Sequence, residues 1–348
     1  MELKILSGER RRQLIDTQQA YEAWRAANAE SNHRFAGSMR WAERSGNEYL
    51  LRKIGKTETS LGARNTETEA AYEAFMRGRN ENNDRLVGLS ERLDELAPVN
   101  VAMGLGRMPT IAARILRACD EQGLLGEQLI VVGTNAMFAY EVQAGVQIES
   151  GLVATGDIDL LYDARRRISL ATTGLATQGL IGLLKKVDGS FAPAKPRGFR
   201  AANRDGYLVD LIRPEAKDVF RDDLPTALSD LPEDLEGAAI FGLGWLINSP
   251  RLEAAALDER GYPVRVVAID PRAFALHKAW LSRRDDREQL KAVRDLEQAK
   301  AAANIATRYL KKSFDGPDLS ALPNALRELA PKLIDADPAP SPSSRPNW

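Results

Sequence analysis

Two short apolar runs constrain this chain more than any other feature. The first, Val131-Val132, ends on Gly133-Thr134-Asn135, and the second, Asp157-Ile158-Asp159-Leu160-Leu161, carries two carboxylates one residue apart. Side chains alternate faces along a strand, so Asp157 and Asp159 must point the same way. Two carboxylates on one face repel, and they cost free energy unless a cation sits between them. Mg²⁺ suits that place, being commonly held by one or two carboxylates and substrate phosphates. A Gly-Thr step from strand end to helix start offers backbone N–H groups to a phosphate. Together these features describe a site for a nucleoside triphosphate.

A third carboxylate, Asp210, is the only charge in Tyr207-Leu208-Val209-Asp210-Leu211-Ile212, which otherwise reads as buried strand. An ionised Asp there is costly unless it faces a metal or a hydrogen-bonding partner. On its own it could equally sit at a sheet edge, pointing at water. Beside Asp157 and Asp159 it becomes the natural base for deprotonating an attacking hydroxyl. The Asp157-Ile158-Asp159 run, taken alone, also has the plainer reading of a solvated edge strand.

The 348 residues leave room for two domains, and 44% hydrophobic with 28% charged residues is a soluble, globular balance. A formal charge of −1 gives no global attraction to nucleic acid, so such binding would need a local patch. Cys119 stands alone, which excludes an internal disulfide or a multi-cysteine zinc site and fits a reducing compartment. His33 and His277 leave little scope for histidine-rich metal sites. No signal-like apolar run follows Met1-Glu2-Leu3-Lys4, and the run from Ala238 to Ile247 is too short to span a bilayer. The expectation is a cytoplasmic protein with no membrane segment.

The pattern predicts a helix from about Ser7 to Glu30, with Leu14, Tyr21 and Trp24 on one face. Ser45-Gly46-Asn47 reads as the turn of a β-hairpin near residues 39–53. A charged helix follows from Thr66 to Glu95, and its stripe of Leu86, Leu89, Leu93 and Leu96 is packing or a dimer seam. Pro98 is expected to end it, with Gly104 to Pro109 as a helix-to-helix turn. After the Asp157/Asp159 strand a helix is expected over Thr173 to Lys186, then a hairpin turning at Asn203-Arg204-Asp205-Gly206. Strands are expected around Asn248-Ser249-Pro250 and Asp258 to Gly261. Helices cover Pro271 to about Leu310 and Leu322 to Ile334, and the Pro/Ser-rich tail reads as disordered. This divides the chain into a mainly helical region over 1–108, a core over 109–268, C-terminal helices over 269–337 and a tail over 338–348.

The order of these motifs resembles the nucleotidyltransferase superfamily with the polymerase-β-like fold. Gly133-Thr134, Asp157-Ile158-Asp159-Leu160 and Val209-Asp210-Leu211 stand where that family has its glycine-rich turn, its acidic pair and its third acid. The runs from Ser60 to Glu69 and from Val131 to Glu141 are similar to flanking motifs of an uncharacterised bacterial branch, over about residues 30 to 310. Two departures stand out. Thr134 replaces the usual Ser or Gly, and the interval to Asp157 is long, so residues 141–156 are expected either to form a lid or a substrate-contacting loop or to spoil the pocket.

The resemblance implies an α+β fold: a mixed sheet with helices, plus an N-terminal mainly helical region and C-terminal helices. It implies two Mg²⁺ ions, for which Mn²⁺ can substitute, on Asp157, Asp159 and Asp210, with the triphosphate against Gly133, Thr134 and Asn135. Lys278, Arg283 and Lys291 resemble basic positions that neutralise a triphosphate in relatives. Basic residues outnumber acidic ones eleven to five between Pro271 and Lys312, and Arg284, Arg287, Lys291 and Arg294 are spaced for one helical face, which reads equally as a solvated face laced with Asp285, Glu288, Asp295 and Glu297. The implied reaction moves an NMP from an NTP onto a hydroxyl of an RNA 3′ end such as that of tRNA, a protein or a small molecule, with RNA favoured. Toxin or phage-defence roles are known in bacterial relatives of the fold. The alternative is a catalytically silent nucleotide sensor or scaffold. Trp245 and Trp280 read as core, and Arg197 and Arg200 as weaker candidates for nucleic-acid contact.

Overall fold

The computed structural model describes residues 3–165, 178–216 and 225–334. They fall into two compact units: Met1–Arg11, Gly106–Arg260 and Val264–Trp348 form one, and Arg12–Leu105 with Gly261–Pro263 the other. No described helix is long and apolar enough to cross a membrane.

The chain opens with β1 (Lys4–Ile5) and the long helix α1 (Gly8–His33). Leu14 and Tyr21 of α1 are buried, and Trp24 stacks on Tyr21 with ring centres 6.1 Å apart. β2 (Ser38–Arg44) and β3 (Asn47–Ile54) close around Ser45 and Gly46, both at positive φ, as a tight hairpin turn requires. A third strand, β4 (Thr57–Ala63), extends this hairpin. Polar and mostly exposed, it lacks the alternation by which a strand is recognised in sequence. Asn65 and Thr68 then cap each other reciprocally, both bonds 2.9 Å, and start α2 (Thr66–Ala102).

α2 runs through Pro98 rather than stopping there. An interior proline costs about 3 kcal/mol through its missing N–H and its clash with the preceding turn. Here Pro98 and Asp94, the residue four positions before it, are both exposed, and buried anchors flank Pro98. Ala97 packs against Gly261, while Asn100 accepts from Gln13 (2.9 Å) and Thr17 (3.1 Å) and donates to the Gly261 carbonyl (2.9 Å). Of the leucine stripe, Leu93 and Leu96 are buried, while Leu86 and Leu89 are half-buried.

In the larger unit α3 (Thr110–Glu121) leads to β5 (Leu129–Val132), α4 (Ala136–Ala144), β6 (Val146–Gln147), α5 (Ser150–Val153) and β7 (Asp157–Tyr162). Next come α6 (Gly179–Val187), β8 (Ala192–Pro193), β9 (Arg200–Ala202), β10 (Leu208–Pro214), β11 (Ala238–Ile240) and α7 (Leu243–Ile247). β12 (Arg251–Leu257), β13 (Pro263–Ile269), α8 (Pro271–Leu281), α9 (Gln289–Asn304) and α10 (Asn324–Arg327) complete the described chain. Eight strands form one sheet in the order β12-β13-β5-β7-β10-β9-β8, with β11 beside β10. β7 runs parallel to β10 and antiparallel to β5, so the sheet is mixed and the fold is α+β. All four residues of β5 are buried, as are Ile158, Leu160 and Leu161 of β7 and Val209 and Leu211 of β10.

Several expectations change. Residues 141–156 are no lid. β6 pairs with β1, the buried Glu141 accepts from Arg107 (2.8 Å), and Gln298 of α9 donates to the Leu152 carbonyl (2.7 Å). The helical stretch expected from Pro271 is broken between Leu281 and Gln289, so Arg284 and Arg287 precede α9 and do not share a helical face with Lys291 and Arg294. The segment before Asn248 is the helix α7, not a strand, and the last helix shortens to α10. The first half of the helix expected over Thr173 to Lys186, and the tail from Pro338, lie outside the described residues.

Candidate active site

β5 is apolar enough to be buried throughout, and it delivers Gly133 to the edge of the sheet's central strands. Gly133 has φ +63, and a Cβ there would lie 2.1 Å from Asp159 Oδ2. Only glycine allows the turn to pass this close to the carboxylate. In the first turn of α4 the amides of Ala136 and Met137 fold back on the carbonyls of Gly133 (3.2 Å) and Thr134 (3.1 Å). Any phosphate cradle therefore rests on the residues before them. Asn135 Nδ2 donates to the Asp157 carbonyl (2.7 Å), tying this turn to the start of β7. The Thr134 hydroxyl accepts from Gln298 Nε2 (3.2 Å), so the β-branched residue is held by α9.

Alternation puts Asp157 and Asp159 on one face of β7, and the parallel register sets Asp210 directly beside Asp159 and Leu208 beside Asp157. The three carboxylates therefore share one face. Asp210 is only 6% exposed. Burial, then the charges of Asp157 and Asp210, push the Asp159 carboxyl up to about 7, against the opposing pull of Lys278 and Arg200. Burial is the larger cause, and the neighbouring carboxylates add to it.

The carboxylates do not stand free. Arg200 grips Asp210 with two bonds, Nε to Oδ1 at 2.7 Å and Nη2 to Oδ2 at 2.6 Å. Thr155 Oγ1 bonds Asp157 Oδ1. Among the described residues no three acidic, histidine or cysteine side chains form a ready metal cage. Hard carboxylate oxygens in excess of cation are still the donors Mg²⁺ takes, and it needs only one or two when substrate phosphates supply the rest. Asp157 and Asp159 fit that role as they stand; Asp210 fits it once Arg200 lets go.

The basic residues divide. Lys278 of α8 reaches the site, since its charge acts on Asp159, and its Nζ is fixed by Asp295 Oδ1 at 2.7 Å. Asp295 also holds Arg287 at 2.6 Å. Arg283 is exposed in the break after α8, and Lys291 is exposed and turned to Glu288 at 2.8 Å. No described contact brings either of them to the carboxylates.

Sequence reasoning missed the roles of Arg200, Thr155 and Gln298. For Arg200 the turn pointed close but one residue off. Counting outward from 203–206 sets Arg200 opposite Val209, whereas Tyr207 joins the loop in the structure, pairing Ala202 with Leu208 and Arg200 with Asp210. Gln298 had no such signal, because only the tertiary packing of α9 brings it to Thr134.

A family model described as a nucleotidyltransferase matches residues 110–323, a span that contains every residue of this site. No curated protein and no solved structure matches the chain.

Proposed function

The chain belongs to the nucleotidyltransferase family, and from that premise we propose that it transfers an NMP from an NTP to a hydroxyl acceptor. The observation that carries this reading is the register of β7 and β10, which gathers Asp157, Asp159 and Asp210 on one face. Asp157 and Asp159 would hold Mg²⁺, which when bound neutralises triphosphate charge and acidifies a hydroxyl. Asp210 takes the acceptor's proton as the hydroxyl oxygen attacks the α-phosphorus. The bond from that phosphorus to the β-phosphate oxygen breaks, and pyrophosphate leaves. Arg200 must first release one oxygen of Asp210, and its guanidinium, 40% exposed, is then free to turn toward phosphate. Lys278 adds a fixed positive charge, and the turn at Gly133 to Asn135 lies where phosphates approach. Arg283 and Lys291 can meet the triphosphate only from the solvent side. The acceptor is a hydroxyl of RNA, of protein or of a small molecule.

The Arg200–Asp210 ion pair favours a second reading, a catalytically silent nucleotide sensor or scaffold in which that pair never opens. One experiment separates the two. The protein is incubated with each α-labelled NTP, Mg²⁺ or Mn²⁺, and cellular RNA, protein or metabolite fractions. Label should enter one fraction and disappear with Asp159→Asn. Equal behaviour of wild type and variant would favour the silent reading.

A further inference from the structure

Gln298 of α9 is 1% exposed and reaches two parts of the site through one nitrogen. Its Nε2 donates to the Leu152 carbonyl (2.7 Å) and to the Thr134 hydroxyl (3.2 Å), which uses both amide hydrogens. The Leu152 contact fixes the sense of the amide, because the reverse orientation would set one acceptor against another. Oε1 is buried and has no hydrogen-bond partner. An acceptor left so costs about 1–3 kcal/mol, a cost that an apolar side chain filling the same space would not carry. One turn earlier on α9, Arg294 donates to the Ala154 carbonyl and, at 3.4 Å, to that of Leu152. The segment ahead of Asp157 therefore has a second tie to α9, and the contact that belongs to Gln298 alone is the one to Thr134.

That contact decides what Thr134 can do. The amide fills one lone pair of the hydroxyl oxygen, and the hydroxyl hydrogen has no acceptor among the described residues. Thr134 is half-buried, and its branched Cβ restricts χ1, so one donor is enough to fix where the oxygen sits. The backbone N–H groups of Thr134 and Asn135 also lack acceptors among the described residues. Three donors on two neighbouring residues thus remain for an anionic oxygen, and hydrogen bonds to a charged acceptor are the strong ones.

We propose that Gln298 is a positioning residue for the nucleoside triphosphate. It does not touch the nucleotide; it holds the Thr134 hydroxyl as a donor to a phosphate oxygen, beside the N–H groups of Thr134 and Asn135. The proposal rests on the nucleotidyl-transfer reading.

A double-mutant cycle on the full chain tests it. Isothermal titration with inorganic tripolyphosphate and with a non-hydrolysable NTP, each with Mg²⁺, compares wild type, Gln298→Met, Thr134→Val and the double variant. Each single substitution should weaken both ligands roughly tenfold. With Thr134→Val already present, Gln298→Met should cost less than about twofold, because the hydroxyl it positions is gone. A role confined to packing would cost the same in both backgrounds. Gln298→Asn, which keeps an amide on a shorter arm, replaces Gln298→Met in the cycle if the methionine variant does not fold. Three results would overturn the proposal: Gln298→Met binds both ligands as wild type does, Thr134→Val does so, or the loss from Gln298 is as large without the Thr134 hydroxyl as with it. Transfer of labelled NMP is scored separately. A cycle that couples as expected, with no transfer to any fraction, upholds the positioning role and counts against the transfer reading. Transfer with independent losses does the reverse, and if wild type binds neither ligand both fall.

Discussion

At Gly133 a single methyl group would separate catalysis from stability. A Cβ there would meet the Asp159 carboxylate, which can swing aside, so the cost to the fold is mainly the positive φ. Gly133→Ala is expected to lower stability by about 1 kcal/mol, measured by urea unfolding. It should lower nucleotidyl transfer by roughly 100-fold or more, since a displaced carboxylate spoils the alignment on which the reaction depends. His277 governs a different property. Buried, with Nε2 unpartnered, it has its pKa lowered to about 3, first by desolvation and then by Lys278 and Arg287, with Asp295 opposing. The unfolded chain takes up a proton near pH 6.5 and the folded chain does not. Stability is thus fully present above 6.5 and lost as pH falls toward 3, at about 1.4 kcal/mol per pH unit. Glu141, raised to about 7 by burial, acts with the opposite sign, its contribution falling as pH rises from 4.5. The difference between wild type and His277→Phe in unfolding curves from pH 7 to pH 4 isolates the histidine; a flat difference would refute the assignment.

Elements were legible in the sequence where one short-range rule governs them. The runs at Leu129–Val132 and Asp157–Tyr162 are strands because they are apolar, and the 203–206 turn closes where Asn203 and Gly206 place it. The candidate site was legible as carboxylates on a shared face, since period-2 alternation is local. It was not legible as ion pairs, because Arg200, Lys278 and Gln298 are placed by register and by helix packing. Pro98 failed as a helix stop because Asn100 and Ala97 are held by groups far away in the chain. Pro98→Ala restores the lost hydrogen bond in an already helical segment and is expected to stabilise the protein by about 1–3 kcal/mol, measured by denaturant unfolding. The link between α8 and α9 is electrostatic at one point. Asp295→Asn would leave Lys278 and Arg287 without their buried counter-charge, and a loss of about 3 kcal/mol is expected. Weaker Mg²⁺·NTP binding should accompany it if Lys278 serves the triphosphate.

At the scale of the whole molecule the site belongs entirely to the larger unit, as does the family match over 110–323. Mg²⁺·NTP at 100 times its Kd should therefore stabilise that unit by about 2.7 kcal/mol. Hydrogen exchange is expected to slow in β5, β7, β10 and α8 and to stay unchanged in β2–β4. Uniform slowing would mean that the units respond as one. The contact between Asn100 and Gly261 adds a constraint of another kind. It joins residues 161 positions apart within the smaller unit, most of whose chain is made before residue 105. Closing so long a loop is slow and entropically costly. On the ribosome, α2 must wait for more than a hundred further residues before its buried asparagine finds its acceptor. Most of the smaller unit is made early yet it finishes late, and the timing of synthesis becomes part of how this chain reaches its fold.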